Sequence, residues 1–156
     1  MNPPSPATQL NGFIAKFSPE IAALGKAVLA RLRRLLPPSV EMVYDNYNFL
    51  VVGFGPTERP SEAVLSVAFY ARGVGLCFIQ GARLPDPDKL LLGGGNQVRH
   101  IKLPQAGVLD DPRVRQLIAI AVKSGPTPFA KDCRRKLIIK SISAKQRPRR
   151  PPPAKK

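Results

Sequence analysis

The chain has no Trp, one His and two Cys, and only ten carboxylates among its 156 residues. Each shortage excludes something. Cys77 in an apolar run and Cys133 in a basic one cannot build the disulfide framework of a small secreted domain, which points to a reducing, cytoplasmic setting. One imidazole and two distant thiols cannot supply a zinc set at normal spacing, so no His/Cys metal centre is expected, and no cofactor is indicated. No G-x-S-x-G elbow accompanies His100, which argues against a hydrolase-type triad. No apolar run approaches the roughly 18 residues of a membrane-spanning helix. Residues 1–11 have neither a basic start nor an apolar centre, so they do not read as a secretory leader, and no membrane partner is expected.

What is plentiful is positive charge and proline: 25 Lys and Arg, a net charge of +15 and 18 Pro. The charge is uneven. Residues 1–125 carry 14 basic and 9 acidic side chains, whereas residues 126–156 carry 11 basic and one acidic. Length and a 44% hydrophobic content suit one compact domain with tails. The reading is a flexible arm over 1–17, an α+β domain over 18–125 and a basic, Pro-rich tail over 126–156.

Within the domain, Ser18-Pro19-Glu20 is an ordered helix start, and Ile21, Leu24, Val28, Leu32 and Leu35 form one apolar face that ends at Pro37-Pro38. From Val40 the period shortens to that of strands. Five are predicted: Val40–Tyr44, Phe49–Phe54, Ala63–Tyr70, Val74–Gln80 and Val98–Leu103. Asp111-Pro112 opens a second helix with Val114, Leu117, Ile118, Ala121 and Val122 on one side. Because helices do not alternate with the strands, the expected sheet is antiparallel, about five-stranded and flanked by an N-terminal and a C-terminal helix. Leu137 to Ile142 could add a strand or pack along the body, and Arg147 to Lys156 reads as a disordered, polyproline-II-biased tail.

This order of helix, Val40-Glu41-Met42-Val43-Tyr44-Asp45, strand meander, Gly-rich approach to Gln97-Val98-Arg99-His100-Ile101 and final helix resembles the YdhG-like family, also called domain of unknown function 1801. The likeness covers about residues 18–125. Many relatives have a Trp-Gly-Met-Pro-like turn where this chain has Tyr44-Asp45-Asn46-Tyr47-Asn48. The resemblance implies an α+β fold with an antiparallel sheet and a bacterial cytoplasmic protein. Some relatives are described as frataxin-like iron chaperones, which makes iron delivery one functional alternative. The scattered acidic residues of this chain form no ridge of hard oxygen ligands in the sequence.

Polar and aromatic residues cluster around the strands: Glu41, Tyr44, Asp45, Asn46, Tyr47, Tyr70, Arg72, Gln97, Arg99 and His100. Gathered on a helix-free sheet face they would make a ligand site. The same face would equally suit a homodimer contact, since Tyr, Ala and Cys are poorly suited to full exposure. The leading reading is a non-enzymatic ligand- or partner-binding module; the rival is a small enzyme with Glu41 or Asp45 as base and Arg99 or His100 as electrostatic partner. Gly93-Gly94-Gly95 lacks the Lys and the following helix of a phosphate loop. Arg134, Arg135, Lys136, Lys140, Lys145, Arg147, Arg149 and Arg150, with Lys155 and Lys156, are the candidates for weak, sequence-independent nucleic-acid contact. No aromatic follows Phe129, so the tail by itself has no platform on which a base would stack.

Overall fold

The computed structural model describes residues 3–152. Helices α1 (Pro6–Ile14) and α2 (Pro19–Leu35) precede a meander of five strands, β1 (Val40–Asp45), β2 (Leu50–Gly55), β3 (Leu65–Tyr70), β4 (Gly73–Phe78) and β5 (Arg99–Lys102). Helix α3 (Pro112–Lys123) and strand β6 (Lys136–Ile142) follow. The fold is α+β, and among the described residues no helix is long and apolar enough to cross a membrane.

Both expected helices start where their caps are. Ser18 accepts from the Ile21 amide and Asp111 from the Arg113 amide, each just before a proline in the first turn. The expected loose arm instead holds α1. Ser5 caps it by accepting from Thr8, and Leu10 and Ile14 are buried one turn apart, with Phe17 continuing the same apolar line. Phe17 packs on Phe69 of β3 with ring centres 5.6 Å apart.

The sheet order is β5-β4-β3-β2-β1-β6. The first five strands are antiparallel neighbours, as the meander required, but β6 joins β1 in parallel, so the sheet is six-stranded and mixed. This corrects the five-stranded antiparallel expectation, assigns Leu137 to Ile142 to the sheet, and, among the described residues, corrects the disordered reading at Arg149, which is buried. The register shifts between Val43 and Tyr44, which pair with Ile139 and Ser141, leaving Lys140 as the extra residue of a bulge. Leu137 and Ile139 pack against the main core.

That core lies between one sheet face and the helices. Val43, Leu50, Val52, Phe54, Leu65, Val67, Phe69, Val74, Leu76, Phe78 and Ile101 meet Val28, Leu29 and Leu32 of α2 and Val114, Leu117 and Ile118 of α3. Gly25 is what lets α2 approach β3, because a Cβ there would lie 1.9 Å from Cε2 of Phe69. Gly25→Ala is therefore expected to cost about 1–3 kcal/mol through overpacking, despite the better helix propensity of Ala. Urea denaturation measures it, and an unchanged midpoint would show that Phe69 swings aside freely.

Candidate functional site

Glu41 and Val43 project from β1 to the helix side, as does Asp45, since alternate residues of a strand share a face. The two carboxylates are therefore buried, at 1% and 0% exposure, and each must be compensated there. Arg33 of α2 grips Glu41 through Nε (3.0 and 3.2 Å) and Nη2 (2.8 Å), and Arg135 adds Nε at 3.0 Å. Asp45 accepts from Lys16 Nζ at 2.8 Å and from Arg149 Nη2 at 2.9 Å. Burial pushes the Asp45 carboxyl up, but hydrogen bonds from Lys16, Gln146 and Arg149 outweigh it and hold its pKa below the ordinary value.

The ten candidate residues do not form one cleft. Glu41, Phe54, Leu65, Phe78 and Arg99 are consecutive register partners across five strands. Glu41 and Arg99 thus share a row but stand four strand spacings apart, about 19 Å, with core residues between them. Arg99 donates instead to the carbonyls of Gly94 (2.9 Å), Gly95 (2.9 Å) and Val98 (2.9 Å). The glycine run, with φ of 113° at Gly93 and 86° at Gly95, wraps a guanidinium with its carbonyl oxygens, the reverse of a loop that offers amides to a phosphate. Gln97 is exposed, and its carbonyl accepts from the Ala82 amide at 2.8 Å.

The helix-free face carries two complete rows. One runs Ile138, Met42, Gly53, Ser66, Cys77, His100; the other runs Ser141, Tyr44, Val51, Ala68, Gly75, Lys102. Met42, Gly53, Ser66 and Gly75 are buried within these rows, and Val51, Ala68 and Cys77 form a low, partly exposed strip between Tyr44 and Ile138 on one side and His100, with Leu92 bridged to it, on the other. Neither row contains a carboxylate. The Tyr44 hydroxyl rests 4.0 Å from the Met42 sulfur, and burial pushes its pKa up. Burial likewise pushes up the Cys77 thiol, the Ser66 hydroxyl offsetting only part of this, so the Cys77–His100 neighbours do not make an activated nucleophile. Comparison with protein-family models, with curated proteins and with solved structures finds no match to this chain.

Five of the tail cations are engaged: Arg135, Lys136, Arg147, Arg149 and Arg150. Arg135 pairs with Glu41 and Lys136 with Glu58. Beyond β6 the chain becomes a strap over the β1–β2 turn: Ser143 N donates to Asp45 O at 2.8 Å and Arg147 N to Tyr47 O at 2.8 Å. Arg147 stacks on the Tyr47 ring at 5.7 Å. Arg149 is buried between Asp45 and the Phe17 ring, also donating to Asn46 O at 2.6 Å. Arg150 reaches the carbonyls of Lys16 (3.2 Å) and Ala15 (3.5 Å), just past the C-terminus of α1, where a cation offsets the helix dipole. Arg134, Lys140 and Lys145 are exposed without an ion pair among the described residues. Lys155 and Lys156 lie outside the described residues. Asn46 accepts from the Ser141 hydroxyl at 3.0 Å, which joins the turn to β6. Sequence reasoning missed Lys16, Arg33 and Phe17 as partners of the strand carboxylates and the strap.

Among the described residues, no three of His, Cys, Asp and Glu come close enough to hold a metal ion. Tyr70 and Arg72 do come together, with Lys102, along a groove of about 520 Å³ that also touches Ile21, Leu24 and Leu103. Tyr70 also meets Phe49 edge to face, ring centres 6.4 Å apart.

Proposed function

We propose that this chain is a non-enzymatic binding module that docks through the helix-free face of its sheet, and that its occupant is a second copy of the chain. The single observation that carries this reading is the pair of carboxylate-free rows on that face, small and apolar at the centre and bounded by taller side chains. Two such faces related by a two-fold axis are self-complementary, Tyr44 and Ile138 of each copy lying on the low strip of the other. Strands about 4.8 Å apart give a footprint of roughly 600 Å², within which Met42, Gly53, Ser66 and Gly75 are already buried. A pair would therefore bury less than about 1,200 Å², the range of weak, concentration-dependent interfaces.

The acid–base alternative has little in its favour, because Asp45 is held ionised beneath two cations and Glu41 is enclosed by two guanidiniums. The YdhG-like likeness belongs to the same reading, and the order of helix, meander, glycine-rich segment, strand and helix supports it. Light scattering over a concentration series is the test. The full chain is expected to become dimeric as its concentration rises, and Ala68→Glu, which places a charge at the centre of the strip, to stay monomeric with an unchanged melting temperature. A wild-type chain that stays monomeric at all accessible concentrations would overturn the proposal.

A further inference from the structure

One end of the sheet gathers more cations than any single stretch of the fold supplies. Register places the Asn46–Phe49 turn, the Ala71–Arg72 turn, the exit of β5 and the strap at the same level: Asp45 lies opposite both Leu50 and Ile142, Leu50 opposite Phe69, and Leu103 N donates to Val74 O at 2.9 Å. Segments 15–21, 45–50, 70–74, 102–104 and 143–150 meet there with seven Lys and Arg against two carboxylates. Of those two, Asp45 is consumed by Lys16 and Arg149, and only Glu20 remains. The strap thereby carries Lys145 and Arg147 to the side of the aromatic turn, a juxtaposition across about a hundred residues of chain that no local motif announces.

The aromatics at this end are not buried. Tyr47 is 50% exposed and Phe49 44% exposed. Arg147 is stacked on the first and Tyr70 braces the second edge-on, so both rings are held in place while keeping surface free. Fixed aromatic faces interleaved with mobile cations are the physical recipe for single strands: phosphates neutralise the cations, and unpaired bases stack on the rings whatever their sequence. A duplex keeps its bases stacked inside and offers nothing to Tyr47 or Phe49. An acidic peptide or a bare polyanion would use only the cations.

We infer that this end of the sheet binds single-stranded nucleic acid without sequence preference, the backbone following Arg72, Lys102, Lys145 and Arg147 and the bases stacking on Tyr47 and Phe49. Lys102 closes the row that runs through Ala68 on the helix-free face, so the two surfaces adjoin there, and light scattering of each variant separates loss of pairing from loss of nucleic-acid binding.

The experiment is a fluorescence titration of the full chain with an oligothymidylate of about twelve nucleotides. A duplex of the same length and inorganic polyphosphate are run beside it. The single strand is expected to bind tightest, with log affinity falling against log salt at about 0.7 per phosphate contact. Tyr47→Ala and Phe49→Ala should each weaken binding roughly tenfold and leave the salt slope unchanged. Arg147→Gln and Arg72→Gln should each lower the slope by about 0.7. Circular dichroism melts show whether each variant remains folded. Polyphosphate or duplex binding as tightly as the single strand, or aromatic variants binding like the wild type, would overturn the inference, as would no binding at low salt.

Discussion

A chain ending at Pro126 is expected to melt at least about 10 °C below the full-length protein. Four losses add up. Without β6, strand β1 exposes the edge it now offers to six residues of parallel pairing, and Leu137 and Ile139 leave the core. Those two half-buried side chains contribute about 1 kcal/mol each. Glu41 loses Arg135 and Asp45 loses Arg149, and removing one partner of a buried ion pair costs about 3–5 kcal/mol when no other remains. Because Arg33 and Lys16 stay, each loss falls below that range, yet the total is still several kcal/mol against a typical stability of about 5–15. Thermal melting of the two chains decides it. A shortened chain that melts within a degree or two of the original would mean that the strap lies on a body complete without it. Arg149→Ala, which keeps β6 and removes only the strap's anchor, should show a smaller drop of the same sign.

Asp45→Asn should lower stability at neutral pH by about 3–5 kcal/mol, because an isosteric amide leaves Lys16 and Arg149 facing each other across an uncharged group. The effect has a pH signature. The native Asp45 carboxyl titrates below its unfolded value, so its contribution is complete above an unfolded pKa of about 3.9 and is lost as pH falls through the lower folded value. The gap between wild type and variant is therefore widest at neutral pH and closes in acid. Denaturant titrations at neutral, mildly acidic and strongly acidic pH measure it, and a constant gap at every pH would assign the loss to shape rather than charge.

The helices and the meander were legible because their signals are local. Ser18-Pro19-Glu20 and Asp111-Pro112 cap helices whatever surrounds them, and the alternation in Leu65–Tyr70 marks the buried face directly. Helix α1 carried the same kind of signal, Ser5-Pro6 followed by Leu10 and Ile14, but Pro and Asn in the segment weigh against helix and hid it. The pairing of β6 with β1 has no local signal, since the choice of neighbour is settled by how a strand from distant sequence meets a free edge. The carboxylates are a different case. Glu41, Val43 and Asp45 alternate, so a core-facing Val43 implies two buried acids, and two buried acids imply cations to be found. Only the three-dimensional strand order reveals that Arg99 is not among those cations and Arg149 is.

The parallel β1–β6 ladder has a kinetic meaning as well. Val40 finds Lys136 across nearly a hundred residues, so closing that loop costs more chain entropy than any connection of the meander, the tightest of which, β1–β2 and β3–β4, span only a few residues. Hairpins and the α2 face can form before it, and the edge strand is then added to an already collapsed body. What assembles last at an edge is also what opens first. Amide exchange should accordingly rise from β3 outward to β6, and the body would pass transiently through a five-stranded form in which β1 is bare, Asp45 is released from Arg149 and the Tyr47 turn is uncovered.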